Sequence, residues 1–189
     1  KMTVHGKKIG GKVERRKELA QIVMAHPDVF VAQTTAAHVN HFYKAILRAN
    51  EYKGPAVINT FTTCQPEHGV GDHLAGERAR VAVDSRAFPL LIYDPEAGDS
   101  IKERLSLKGN PMPKKDWYMD PKTKEPIDFI SFARGEGRFE KHFDHKGNPT
   151  ELMRAGNEDR RQNWRILQEL AGIEPEKHEP VETAASAES

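Results

Sequence analysis

The sequence predicts an α/β fold in which a mainly parallel sheet is flanked by helices. A short continuous apolar run occurs at 29–32, further strands are predicted at 56–61 and 89–93, and segments of helical periodicity precede and separate them. Such runs are typical of strands buried on both faces of a parallel sheet. Alternation of strand and helix with short connections predicts right-handed crossover units.

The first predicted helix covers 12–25 and ends before Pro27, and the strand 29–32 follows Asp28. The apolar side chains that we expect on its inner face are Val13, Leu19, Ile22 and Val23. Their three-to-four spacing among charged residues is typical of an amphipathic helix.

The second predicted helix covers 36–52, is capped by Thr34 or Thr35, and ends at Gly54 and Pro55. Its predicted buried stripe consists of Val39, Phe42, Tyr43, Ile46 and Ala49. These positions recur at helical spacing and therefore share one face.

A loop from 62 to about 72 follows the strand 56–61 and leads to a third helix that ends near Arg86. Beyond Asp94, glycine and proline interrupt the chain as far as Ile127, which predicts a long excursion over the surface.

Two further helices complete the predicted elements, one over 129–143 and one that Asn157 caps. In the last helix, the residues expected to face inward are Trp164, Leu167, Leu170 and Ala171.

The length of 189 residues suits one domain with extensions. We assign 1–95 to the α/β part, 96–173 to the excursion and helical extension of the same domain, and 174–189 to a disordered tail. In that tail Val181 is the only sizeable apolar side chain, so burial would not offset the entropy of ordering. An open α/β sheet usually has about five or six strands. We therefore expect the missing strands before Lys1 or on another polypeptide.

Composition excludes several classes of protein. A net charge of +1, from 29 basic and 28 acidic residues, gives no overall attraction to nucleic acid or to an anionic membrane. The basic cluster near the start, interrupted by glycine and without aromatic residues, is interpreted as the solvated start of a helix: Lys7, Lys8, Lys12, Arg15, Arg16 and Lys17. No apolar run is long enough to span a bilayer, and one cysteine fits a reducing compartment, so we expect a cytoplasmic location.

Cys64 lies in the most informative segment, which follows the strand 56–61 directly. In open α/β sheets, ligands bind beyond the carboxyl ends of strands. A thiol there is a metal or cluster ligand, a nucleophile with His68 as its base, or an ordinary half-buried residue. One thiolate cannot hold an iron–sulfur cluster, which normally takes four, so a cluster would need three ligands from outside this sequence.

Two histidine pairs have helical spacing, His38 with His41 and His142 with His145. Neither has a nearby cysteine or glutamate at the spacing of a helical zinc motif. We therefore interpret both as surface pairs.

Many short segments together, in order, resemble the end of the thiamine-diphosphate domain of the pyruvate:ferredoxin (flavodoxin) oxidoreductases, in the 2-oxoacid:ferredoxin oxidoreductase family. The segments that carry the resemblance are 29–33, 40–49, 54–59, Cys64, 68–69, 82–90, 93–95, 107–111, 132–133, 136–139 and 141–143. The likeness covers about 14 to 173. Three residues separate Cys64 from His68, where many members of the family have two.

The resemblance implies coenzyme A-dependent oxidative decarboxylation of a 2-oxoacid, with pyruvate as the default substrate and a dimer of catalytic units. It implies thiamine diphosphate and magnesium as cofactors, and ferredoxin or flavodoxin as the electron acceptor. It also implies that Cys64 ligates the four-iron four-sulfur cluster nearest the thiazolium ring. The Cys-x-x-Cys pair and the Gly-Asp-Gly segment of the family are absent from this sequence. We therefore expect the chain alone to be inactive until the remaining segment or subunits complete the site. The alternative is a non-catalytic interaction or assembly module derived from this fold.

Overall fold

The structure is a computed structural model that describes residues 14–176. The helices are α1 Leu19–Met24, α2 Val39–Glu51, α3 Gln65–His68, α4 Ala75–Asp84, α5 Ile101–Arg104, α6 Phe129–Arg134 and α7 Glu151–Leu170. The strands are β1 Phe30–Thr35, β2 Ala56–Phe61, β3 Leu91–Tyr93, β4 Leu105–Ser106, β5 Tyr118–Met119 and β6 Pro126–Ile127. Three short 3-10 helices are Asp72–Leu74, Pro95–Ala97 and Gly137–His142. The predicted tail from 177 onward, and Lys7, Lys8, Lys12 and Val13, lie outside the described residues.

Four strands form the main sheet in the order β2-β1-β3-β4. The α/β class is confirmed, and β1 and β2 are parallel as predicted. The third strand, however, is antiparallel to β1, so the second predicted crossover is wrong and the sheet is mixed. Helix α4 packs mainly against α6 and a 3-10 turn instead of returning the chain across the sheet. The chain therefore enters β3 beside the carboxyl end of β1.

Strand β2 is an edge strand whose only sheet neighbour in the described chain is β1. Its six residues include no charged side chain and no proline, and all of them are exposed or only partly buried. Protected edge strands usually carry a charge, a proline or a bulge. This edge is consequently an open template for a further strand.

Helix α2 covers one face of the sheet through Ala45, which packs with Phe30, Ala32 and Ile92. The predicted buried stripe is wrong for three of its residues: the exposed fractions are 54% for Val39, 62% for Tyr43 and 37% for Ile46. Leu47 on the same outer side is 60% exposed. The large apolar side chains lie on the outer side of the helix, whereas the small side chain of Ala45 meets the sheet, so periodicity alone did not identify the side that packs.

The opposite face of the sheet is covered by α1 and α7, and Trp164 and Leu167 are buried there as predicted. The first helix begins at Leu19, later than predicted, because the preceding backbone is extended at Glu18. Its inner face is formed by Ala20, while Leu19 and Ile22 are about half exposed, against the prediction.

The predicted surface excursion is partly built into the core. Leu105 and Leu107 are buried, and β4 joins the main sheet. Arg86 also holds this segment, since its side chain is fully buried and donates to the carbonyl oxygens of Pro111 and Asp116. Polar backbone of the excursion is thereby satisfied from inside.

The predicted helix over 129–143 is divided in two at Gly135, into α6 and a 3-10 helix. The last helix is capped by Thr150, whose hydroxyl accepts a hydrogen bond from the backbone N–H of Met153. The predicted cap, Asn157, instead lies inside α7 and accepts a hydrogen bond from the N–H of Phe129. It thus joins α7 to α6.

Candidate functional site

Cys64 lies at the carboxyl end of the parallel pair, as the sequence predicts. Strand β2 ends at Phe61, and Cys64 is the N-cap residue of α3. Its thiol is exposed. The Cys64 carbonyl accepts a hydrogen bond from the N–H of His68 at 2.8 Å, so the two residues are fixed across one helical turn.

The His68 ring lies between an aromatic ring and a buried carboxylate. The Phe61 ring centroid is 6.1 Å away. On another side, Nδ1 of His68 lies 3.5 Å from Oε1 of Glu136, whose side chain is fully buried. Neither of these two atoms has another hydrogen-bond partner in the described residues.

The charges around Glu136 are arranged in a compact group. Its Oε2 accepts a hydrogen bond from Nε of Arg138 at 2.5 Å. Burial raises the pKa of Glu136, although Arg138 and Arg78 favour the ionised form. Burial and the nearby Arg138 lower the pKa of His68, so the imidazole is predominantly neutral at neutral pH.

Two glycines bring the α3 turn against the segment that carries Glu136. Gly69 ends α3 in the left-handed conformation, with φ of 63°, and its carbonyl accepts a hydrogen bond from the N–H of Gly137 at 3.4 Å. A Cβ atom on Gly69 would lie 2.9 Å from the Cα of Gly137. Only glycine allows both the conformation and this close approach.

The hypothesis of a thiol nucleophile gains one group from the structure but lacks the essential contact. Glu136 is the carboxylate that could orient His68, and no sequence spacing reveals it, because the two residues belong to distant segments. Within residues 14–176, however, no hydrogen bond joins the Cys64 thiol to the His68 ring. A nucleophile and its base require that contact.

The described residues hold no complete metal site in this region. Among the described residues, no group of three or more histidine, cysteine, aspartate or glutamate side chains could hold a metal ion. An exposed thiol at the end of a strand fits one cysteine position of an iron–sulfur cluster, with the other ligands from elsewhere. The Cys64 assignment therefore remains a prediction.

The two histidine pairs are not simple surface pairs. The Nδ1 atom of His41 hydrogen-bonds the Thr34 hydroxyl at 2.9 Å, and burial together with His38 lowers its pKa to about 4. His142 is 3% exposed, whereas His145 is exposed. The surface interpretation is therefore wrong for His142 and, in part, for His41.

Two searches of the chain found no match. Across the described range, none of the helices combines the length and apolar character needed to cross a membrane. No family model matches the sequence.

Known proteins nevertheless share clear similarity with the chain. It is 28% identical over 136 residues to pyruvate synthase subunit PorB of Thermotoga maritima, covering 72% of this chain and 36% of PorB. It is 30% identical over 132 residues to the pyruvate:ferredoxin oxidoreductase of Moorella thermoacetica, covering 69% of this chain and 10% of that protein. It is 29% identical over 135 residues to ketoisovalerate oxidoreductase subunit VorB of Pyrococcus horikoshii, covering 69% of this chain and 38% of VorB.

The matched segment is thus less than half of each of these relatives, which are subunits or single chains of larger enzymes. Both the ordered motifs and the curated relatives indicate the same group of proteins. The resemblance is confirmed, and the chain is a relative of the 2-oxoacid:ferredoxin oxidoreductases, corresponding to a part of those proteins.

Proposed function

We propose that this chain is part of a cytoplasmic 2-oxoacid:ferredoxin or flavodoxin oxidoreductase that carries out coenzyme A-dependent oxidative decarboxylation. Pyruvate is the default substrate, because the names of several relatives specify it. The relative named as a ketoisovalerate oxidoreductase makes a branched 2-oxoacid the first competing substrate to compare.

The observation that carries the proposal is the position of Cys64. It is the only cysteine of the chain, its thiol is exposed, and it follows the carboxyl end of a parallel strand. A structural cysteine is usually buried, whereas a ligand must face its metal. In the proposed enzyme, Cys64 supplies one thiolate to a four-iron four-sulfur cluster, which accepts electrons one at a time.

The remaining segment or subunits of the enzyme supply the other cysteines and bind thiamine diphosphate and magnesium. Two surfaces of this chain support such a partner. The β2 edge is unprotected, and the outer face of α2 exposes Val39, Tyr43 and Leu47. Contiguous large apolar side chains on the outer face of a helix usually mark a surface that another element covers. We propose that a parallel strand beside β2 and a helix over α2 come from this partner.

Co-expression with the polypeptide that carries the Cys-x-x-Cys and Gly-Asp-Gly segments tests the proposal. The complex, reconstituted anaerobically with iron, sulfide, thiamine diphosphate and magnesium, should reduce a viologen dye only when both a 2-oxoacid and coenzyme A are present. Comparing pyruvate with 2-oxoisovalerate assigns the substrate. Dye reduction without any dependence on a 2-oxoacid would refute the enzymatic function.

The same two surfaces also suit the second candidate, a non-catalytic interaction or assembly module. That function requires a stable complex with the partner but no 2-oxoacid-dependent reduction. A complex that forms through β2 and α2 yet binds no cluster would favour it.

A further inference from the structure

We infer that Glu136 is a positioning residue for Cys64 and acts through His68, with the segment Gly135–Arg138 as a latch on the α3 turn. The inference deepens the proposed function. The role that it gives the latch, which is to position Cys64 as a ligand, rests on that function. The contacts of the latch exist in the chain irrespective of that function.

Glu136 is buried with one of its two carboxylate oxygens unpaired among the described residues. Its side chain is fully buried, yet among residues 14–176 only Oε2 has a hydrogen-bond partner, Arg138. Leaving a buried carboxylate oxygen unpaired is costly. The polar atom that faces Oε1 is Nδ1 of His68, which is equally unpaired. The two atoms therefore face each other at 3.5 Å as the nearest polar partners shown for either.

Backbone hydrogen bonds of α3 connect His68 to Cys64. The His68 N–H donates to the Cys64 carbonyl at 2.8 Å, and the Val70 N–H donates to the Gln65 carbonyl at 3.1 Å. Phe61 packs on the His68 ring from the end of β2. Because α3 is a single turn of four residues, a displacement of the His68 ring moves the backbone of Cys64 with it.

Gly69 and Gly137 add a backbone contact between the two segments. It holds the two segments together beside the side-chain contact, and a Cβ atom on Gly137 would lie 3.2 Å from the Gly69 carbonyl oxygen. The latch thus has one side-chain contact and one backbone contact. Both act on the turn that begins at Cys64.

The test uses the full chain without any cofactor. In the Glu136→Gln variant, amide hydrogen exchange in a peptide covering 62–71 should rise at least about tenfold, because exchange reports local opening. The rate at which a thiol reagent modifies Cys64 should change with it, and exchange in the peptide 30–35 should stay unchanged. The matched control is Glu140→Gln, which alters an exposed glutamate of the 3-10 helix that follows Glu136.

A double-mutant cycle separates positioning from general support of the fold. If Glu136 acts through His68, then adding Glu136→Gln to His68→Asn produces no further change in exchange or thiol modification. Additive effects of the two substitutions would overturn the inference, as would a Glu136→Gln variant that behaves like Glu140→Gln.

Should Glu136→Gln fail to fold, Gly137→Ala tests the backbone half of the latch by the same measurements. Unchanged exchange over 62–71 in that variant contradicts the inference. Because no cluster is needed, these results are independent of whether the complex has 2-oxoacid-dependent activity.

Discussion

Arg86 binds the segment after β3 from inside the protein. Its guanidinium lies 4.2 Å from the ring centroid of Trp164 and reaches the carbonyl oxygens of Pro111, Met112 and Asp116. Burial lowers its pKa to about 10, so the side chain is charged at neutral pH. A planar group with several fixed donors suits this environment, and an ammonium does not.

Replacing Arg86 with lysine should therefore destabilise the protein by about 2 to 3 kcal/mol, because buried carbonyl oxygens lose their donors. Chemical denaturation measures the change. Arg154→Lys, at an exposed position of α7, is the matched control and should shift the free energy of unfolding by less than about 0.5 kcal/mol. Equal effects of the two substitutions would contradict the assigned role of Arg86.

His41 should make stability depend on pH. Its pKa is lowered from 6.5 to about 4 in the folded protein, so the unfolded chain binds more protons between these values. Stability is therefore lost as pH falls from 6.5 towards 4, and His41→Asn should flatten that part of the profile. Denaturation at several pH values measures the slope.

Asp84 provides a comparison of opposite sign. Burial raises its pKa from 3.8 to about 6, so the folded protein binds more protons in that window and its contribution to stability falls as pH rises. Asp84→Asn should make the profile rise more steeply with pH. If both variants have the same pH profile as wild type, neither group has the assigned environment.

Helix α2 is the element that most clearly indicates a partner. Substituting Tyr43 and Leu47 with lysine on its outer face should weaken binding of the missing segment at least about tenfold, since buried aromatic residues dominate interface energies. Affinity can be measured by pull-down or calorimetry. Ile166→Lys, which alters an exposed apolar residue of α7, is the matched control. Unchanged affinity in the double variant would place the interface elsewhere.

For the helices and strands, the sequence predicted their presence better than their arrangement. The strand predicted at 56–61 is β2 with the same bounds, and the spacing of Trp164 and Leu167 identified their burial. The exposed face of α2 was not predictable, because its large apolar side chains face outward and the small Ala45 meets the sheet. The antiparallel direction of β3 depends on how α4 packs on α6, which no local pattern encodes.

The candidate site, too, was predictable only in part. Cys64 followed from its place after a strand, whereas Glu136 could not be found, since its contact with His68 exists only in the folded chain. Buried polar pairs between distant segments leave no periodic signal in a sequence.

For the molecule as a whole, the described chain forms a four-stranded mixed sheet with β2 at one edge, and helix α2 exposes apolar side chains on its outer face. These surfaces, and the partial coverage of the relatives, support the proposal that the chain works within a larger enzyme. The central claim is that Cys64 provides one ligand to a cluster shared with the rest of that enzyme.

The most direct test is the iron content and visible absorbance of the anaerobically reconstituted complex carrying Cys64→Ser, compared with wild type and with Thr62→Ser in the same loop. We expect Cys64→Ser to lose about four iron atoms per chain, with the corresponding absorbance, while the complex and the fold persist. We expect Thr62→Ser to match wild type. A Cys64→Ser complex that retains its full iron content and absorbance would contradict the account and make Cys64 a structural residue.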